Sequence, residues 1–201
     1  MGPGEPQLYY QVGDYRDHDE WRLPDGDDAS RPSTRTVWAC EPGKGANIAG
    51  KMAAAFALAA WLWNDRTRSF YDPALAASFL SAAQQIYSFG KARPASQPGT
   101  IDPGLTLSSA FYDEQTWQDE MALGAAELYR ATGNPAYLAD ARMYAAALGS
   151  SASFYWGNVS MLAQYEIARL DASYRPSATR FMEEDLNTYQ RTSSTARSAL
   201  R

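Results

Sequence analysis

The segment that decides the fold is QDEMALGAAELYRATGNP, which covers residues 118–135. From Asp119 onward its apolar residues recur every three to four positions, which is the period of an amphipathic helix. Gly133 marks the end of this helix, and Asn134-Pro135 begins a partner that runs to about Leu148. The segment therefore predicts an αα-hairpin, two helices joined by a very short turn.

Similar turn sequences recur along the chain, as YDPA at 71–74, GNPA at 133–136 and YRPS at 174–177. Each follows another predicted helix after a short turn, so the chain is a series of αα-hairpins. The spacing of the turns is uneven because long loops intervene, whereas solenoid repeats hold their period. This organisation suits an α/α toroid, in which loops at one rim build a cleft. The predicted helices are 47–63, 72–90, 119–132, 135–148, 159–170 and 176–189.

We interpret the whole chain, residues 1–201, as a single domain. Residues 1–45 are rich in Gly, Pro, Asp and Arg and are predicted to be mostly loop, residues 46–190 to be helical hairpins, and residues 191–201 to be a frayed tail. Asn47 and Asp72 are predicted to cap the first two helices. The loop at 91–109 is long for a compact domain, which is typical of a functional segment or of a flexible insertion.

Composition excludes several classes of partner. The formal net charge is −5 with a pI near 4.9, which disfavours binding to nucleic acid or to an anionic membrane. The longest apolar run, residues 52–63, is shorter than the about 20 residues that span a bilayer. The first residues show no signal-peptide pattern. Cys40 is the only cysteine, so no intrachain disulfide can form.

Three collinear segments resemble glycoside hydrolase family 9, a family of cellulases and related β-1,4-glucanases. They are YYQVGDYRDHDEWRLPD at 9–25, PGKGANIAGKMAAA at 42–55 and FYDEQTWQDEMALGAAELYRATGN at 111–134, and residues 156–168 are similar to the family segment that follows. The match covers about residues 8–170. The resemblance implies an all-α fold, about six helices that form roughly half of an (α/α)6 barrel.

The resemblance also implies a chemistry, the hydrolysis of β-1,4-glucans such as cellulose with inversion. Inversion needs one carboxyl group as general acid and another as general base. The family places its base in a DAGD motif upstream of the QVGD segment and its acid on a Glu far downstream, and this chain contains neither motif. We therefore expect the chain to supply cleft residues and to be inactive in isolation. Two alternatives stay open, a non-catalytic helical module that binds carbohydrate or peptide, and another activity on this fold, such as a glucosaminidase.

Several aromatic residues are implied to line the substrate cleft. The family places the equivalents of His18 and Trp21 next to the cleavage point, and those of Phe111 and Tyr112 at sugar subsites. Trp156 is a further candidate. Aromatic rings stack on the apolar faces of pyranose rings, while polar groups bind the hydroxyls. The alternative for each residue is simple packing at the rim of the barrel, and it applies also to Trp117.

A structural calcium ion is a further implication of the resemblance, although no cofactor is required for the chemistry. Asp119 and Glu120 match a family Asp-Glu pair that helps to bind calcium in several members, and hard oxygen ligands suit this ion. The chain departs from the family at Gly157-Asn158, where a carboxylate ligand is lost. It also has Lys51 where the family has Glu, a reversal of charge. The alternative for the pair is charge that complements the helix dipole.

Partners and location follow from the same resemblance. The expected partner is a β-1,4-glucan polysaccharide or oligosaccharide, and the expected location is extracellular, because cellulose is extracellular. Half of a toroid leaves apolar helix faces without neighbours, which predicts self-association or marginal stability.

Overall fold

The structure, a computed structural model, describes residues 6–12, 37–97, 114, 116–150, 155 and 157–199, with side chains through 192. Within these residues the fold is six α-helices with one two-stranded sheet and one 3-10 turn. The elements are β1 (Tyr9–Val12), β2 (Val37–Ala39), α1 (Ala46–Trp63), α2 (Pro73–Lys91), α3 (Gln118–Thr132), α4 (Pro135–Leu148), α5 (Ser160–Leu170), the 3-10 turn (Ala172–Tyr174) and α6 (Arg175–Ala199).

Helices α1 and α2 form the first antiparallel hairpin. The rings of Phe56 and Phe79 stack with centroids 5.8 Å apart, and Trp63 packs on Phe70 at 4.8 Å near the turn. The Asp72 side chain accepts hydrogen bonds from the first two free N–H groups of α2, at 3.0 and 2.9 Å. This cap and the proline that follows it confirm the predicted start of α2.

Helices α1 and α3 run parallel and touch backbone to backbone. A Cβ atom on Gly50 would lie 2.3 Å from the carbonyl carbon of Glu120, and one on Gly124 would lie 2.9 Å from the oxygen of Gly50. Side chains in this contact are small, mostly alanine, which is why the two helix axes approach so closely. Ten consecutive residues of α3, Asp119–Leu128, are buried, so α3 lies at the centre of the described structure.

Helix α5 also runs parallel to α3. The Val159 N–H, just before α5, donates to Asp119 at the start of α3, and Glu166 further along α5 pairs with Arg130 near the end of α3. Helix α4 runs antiparallel to α5, because Ala145 contacts Gln164 whereas Arg142 contacts Ser173. The helices thus form two layers, with α1, α3 and α5 parallel in one and α2, α4 and α6 in the other.

The structure corrects four details of the sequence prediction. The described parts of residues 1–45 include the antiparallel pair β1–β2, which was predicted as loop. Helix α1 follows Gly45, which has a φ of +117°, and Asn47 lies inside the helix instead of capping it. A 3-10 turn precedes α6. Helix α6 continues past the predicted end near Tyr189 to Ala199, because no Gly or Pro interrupts it after Pro176.

Helix α1 is also long and apolar enough to cross a membrane by length and hydropathy. Core helices pass the same test, and eight of its eighteen residues are buried in this fold. Packing against α2 and α3 accounts for its composition.

Candidate functional site

One end of the helix bundle collects the long connections of the chain. Because α1, α3 and α5 are parallel, their N-termini lie at the same end, which we call the rim. Residues 13–36 join β1 to β2, which comes just before α1, and the segments 92–117 and 149–159 lead into the N-termini of α3 and α5. The connections at the opposite end are short, residues 64–72, 133–134 and 171–174. Long loops over one end of a helical scaffold are the usual place for binding residues.

The residues predicted to bind sugar belong to these long connections. His18 and Trp21 belong to the first, Phe111 and Tyr112 to the second, and Trp156 to the third. All five lie outside the described residues, so their place in the cleft stays a prediction. Trp117 is described, and its ring packs edge-on against Tyr144 of α4 with centroids 5.6 Å apart, which is a packing role.

The rim of α1 and α3 holds a cluster of three buried carboxyl groups with one lysine. We call Glu114, Asp119, Glu120 and Lys51 the rim acid cluster. The Lys51 ammonium pairs with Glu114 Oε1 and lies 3.4 Å from Glu120 Oε1. Asn47 donates its side-chain N–H to Glu114 Oε2 at 2.8 Å. Asn47 and Lys51 are one helical turn apart, so both side chains leave α1 on the same face.

Asp119 and Glu120 are the most deeply buried members of this cluster, each with no exposed surface. The Val159 N–H donates to Asp119 Oδ2 at 2.9 Å, whereas Asp119 Oδ1 and both oxygens of Glu120 have no hydrogen-bond partner within the described structure. Burial and, after it, the neighbouring Asp119 raise the pKa of Glu120 to about 9, while Lys51 opposes the shift. A carboxyl group in this environment needs a nearby positive charge or a proton.

Sequence reasoning found only part of this cluster. Asp119 and Glu120 were predicted as a pair, and Lys51 stood out as a charge reversal. Glu114 was missed, because its partners Lys51 and Asn47 are 63 and 67 positions away along the chain. The i, i+4 spacing of Asn47 and Lys51 on an otherwise apolar helix is the signal that would have pointed to a buried polar contact.

The cluster fits calcium only in part. The oxygens without partners on Asp119 and Glu120 suit a hard cation, which takes six to eight oxygen ligands. Among the residues that the structure describes, however, no group of three or more His, Cys, Asp or Glu side chains could hold a metal ion. Lys51 already supplies positive charge beside Glu120. The described residues therefore do not form a calcium site by themselves, and calcium stays a prediction.

A second feature of the rim is a cavity of about 340 Å³ between the start of α1 and the end of α2. Its wall combines the ring of Phe89 with the guanidinium of Arg93, which lies 4.0 Å from the ring centroid. Cys40 also lines the cavity, and burial raises the pKa of its thiol to about 11. The thiol is therefore protonated near neutral pH and is a poor nucleophile there.

Parallel helices α1, α3 and α5, antiparallel partners and long preceding segments are the features of a barrel built from αα-hairpins. The model of the family described as glycosyl hydrolase family 9 matches residues 1–200. The chain therefore belongs to this family, and its fold is a part of the (α/α)6 barrel, as the sequence predicted.

Individual relatives agree with this assignment. Endoglucanase 15 of Arabidopsis thaliana is 32% identical over 164 residues, which are 81% of this chain and 31% of the relative. Endoglucanase B of Cellulomonas fimi is 36% identical over 137 residues, 67% of this chain and 12% of the relative. The cellulase Cel9M of C. cellulolyticum in complex with cellobiose superposes with a TM-score of 0.68 at 23% identity, over 94% of this chain and 42% of that structure. The chain thus spans a third or less of the curated relatives.

Proposed function

We propose that this chain forms part of an inverting β-1,4-glucan hydrolase of the cellulase type and contributes subsites of its substrate cleft. The observation that carries the proposal is the common rim of α1, α3 and α5. The long segments that precede these helices in the chain contain His18, Trp21, Phe111, Tyr112 and Trp156. Family membership supports the same function.

The proposed ligand is a β-1,4-linked glucan chain. Each glucose ring presents apolar C–H faces and a belt of hydroxyl groups, so it binds to aromatic rings flanked by polar groups. Two tryptophans, a phenylalanine and a tyrosine spread over three connections can contact successive sugar rings. The cellobiose complex of Cel9M supports an oligosaccharide as the ligand.

We further propose that the isolated chain binds glucan without cleaving it. Inversion needs two carboxyl groups about 6.5–9.5 Å apart that both reach the substrate. Asp119 and Glu120 have no exposed surface, so they are poorly placed for either role. The chain also contains no DAG triplet, where the resemblance implies the base.

Binding of cellotetraose, measured by calorimetry, tests the proposed cleft. We expect Trp21→Ala and Tyr112→Ala each to weaken binding about tenfold, because each removes a stacking ring. The matched control is Trp61→Ala, which removes an exposed tryptophan at the opposite end of the bundle and leaves affinity unchanged. Equal effects at Trp21 and Trp61 would contradict the rim as the binding site.

Release of reducing sugar from a soluble cellulose derivative tests the proposal that the isolated chain does not cleave glucan. We expect none above background from the 201-residue chain. Turnover that Asp17→Ala or Glu120→Ala abolishes would show that the chain carries its own catalytic acid. Binding and turnover together would also exclude the alternative of a non-catalytic module.

We also propose an extracellular location, since the polymer is extracellular, and self-association through exposed apolar side chains. Met143, Tyr165 and Leu186 of the last three helices are each about half exposed. Light scattering after size exclusion tests the association, and a stable monomer would contradict it.

A further inference from the structure

We propose that the Lys51 ammonium is the built-in cation of the rim acid cluster, and that the described fold therefore does not depend on a bound metal ion. The proposal rests on the contacts of Lys51 and is independent of the proposed hydrolase function. It departs from the calcium site that the family resemblance implies for Asp119 and Glu120.

The first argument is the path by which Lys51 reaches the acids. Gly50 has no side chain, and α1 therefore lies directly against the backbone of α3 at Glu120. The next residue of α1 is Lys51, whose ammonium extends along this contact to Glu114 and to within 3.4 Å of Glu120 Oε1. Lys51 thus joins Glu114, which precedes α3, to Glu120 in the first turn of α3.

The second argument is that the carboxylate oxygens that Lys51 does not contact accept hydrogen bonds from other donors or lie where the helix dipole favours negative charge. Asn47 donates to the second oxygen of Glu114, and the Val159 N–H donates to Asp119 Oδ2. Asp119 and Glu120 lie in the first turn of α3, where the helix dipole favours negative charge. The cluster thus has positive charge or donors on several sides without a metal ion.

The third argument is competition between cations. A divalent ion bound by Glu120 would lie close to the Lys51 ammonium, and like charges at such distances repel strongly in a buried site. The resemblance implies a Glu at position 51, which would add negative charge. A Lys in place of this Glu makes the local charge more positive by two units. The acids then need a divalent ion less, and they bind one more weakly.

The test is the thermal unfolding midpoint of the 201-residue chain, measured with EDTA and with millimolar calcium. We expect the midpoint of the wild type to differ by less than about 1 °C between the two conditions, because a ligand that does not bind the native state cannot stabilise it. Calorimetric titration of calcium into the EDTA-treated and dialysed chain is expected to show no binding. A midpoint several degrees higher in calcium, or saturable calcium binding, would overturn the proposal.

Variants of Lys51 test the role of the ammonium itself. We expect Lys51→Met to lower the midpoint by roughly 10 °C, since it leaves buried carboxyl groups without their base. Lys51→Arg keeps the charge and is expected to lose less than half as much. The control is Lys44→Met, which removes a partly exposed lysine whose one ion pair among the described residues is with Glu41, three residues away. A loss at Lys51→Met no larger than at Lys44→Met would overturn the proposal. If Lys51→Met does not fold, the wild-type calcium measurements still decide.

Discussion

The two ends of α3 hold charge clusters of opposite design. At the rim, Lys51 is the one described base beside three carboxyl groups, and it contacts two of them, Glu114 and Glu120. At the other end, Glu127 and Glu166 face two arginines. Arg130 donates to Glu127 at 2.7 Å and pairs with Glu166, while Arg169 lies 3.5 Å from Glu166.

The difference shows at which end of α3 the stability of the fold depends on a single residue. The arginine network has two bases for two acids, so Arg169 still faces Glu166 when Arg130 is lost. The rim cluster has no second base among the described residues to replace Lys51. Buried acids outnumber bases beside the proposed cleft, whereas acids and arginines are equal in number at the far end of α3. This contrast is expected when residues at the rim serve a function as well as stability.

The largest effect is expected from removing the base at each end in turn. We expect Lys51→Met to lower the free energy of unfolding by about 3–5 kcal/mol, because breaking a buried pair leaves an uncompensated charge. Arg130→Met should cost less, about 1.5–3 kcal/mol, because Glu127 loses its donor whereas Glu166 still faces Arg169. Urea unfolding measures both. An Arg130→Met loss larger than that of Lys51→Met would contradict the contrast between the ends.

The next effect concerns the backbone contact that carries the rim cluster. We expect Gly50→Ala to cost about 3 kcal/mol, because its Cβ would meet the backbone of Glu120, which cannot move without separating α1 from α3. Gly90→Ala is the matched control. Its Cβ would meet the flexible end of the Met121 side chain at 2.8 Å and also the Ala49 Cβ, so part of the strain can relax. A smaller loss at Gly50 than at Gly90 would show that the helices separate easily.

Most of the helical framework could be predicted from the sequence, because its signals are local. The Asn134 side chain accepts from the Ala136 N–H and thereby caps α4, as its position before Pro135 predicted. Asn47 looked like a cap by the same rule, yet it lies inside α1 and binds Gln97 and Glu114 instead. A capping signal is local, whereas the partners of a buried amide are fixed by tertiary packing, which a single sequence does not display.

The candidate site was less predictable for the same reason. The Asp-Glu pair at 119–120 was found from a motif, but the role of Lys51 depends on the close approach of α1 and α3 at Gly50. The pairing of β1 with β2 was also missed. These strands have four and three residues, and their register is interrupted between Tyr9 and Gln11, so no alternating pattern develops in the sequence.

The Cys40 thiol makes the stability of the fold near the rim depend on pH, independently of the rim acid cluster. Burial raises the pKa of its thiol from 9.0 to about 11, so the folded state keeps the proton to higher pH than the unfolded state. Stability from this group is therefore complete below pH 9 and is lost as the pH rises through 11, by about 2.7 kcal/mol in total. Urea unfolding at pH 8 and pH 10.5 measures the loss, with Cys40→Ala as the control that removes this part of the pH dependence. The same slope in both proteins would contradict the assignment.

The smallest effect is expected between α2 and α4, where Tyr87 of α2 contacts Asp140 of α4. The Tyr87 hydroxyl donates to Asp140 Oδ2 at 3.0 Å, and Lys91 donates to the same oxygen at 2.7 Å. Burial raises the pKa of Tyr87, so the phenol donates in its neutral form. We expect Tyr87→Phe to cost about 1 kcal/mol, because Lys91 still serves Asp140 and the ring still packs edge-on against Tyr137. Thermal unfolding measures this loss. A cost as large as that of Lys51→Met would mean that an acid with two donors depends on each donor as strongly as an acid with one. That result would contradict the distinction between matched and unmatched clusters.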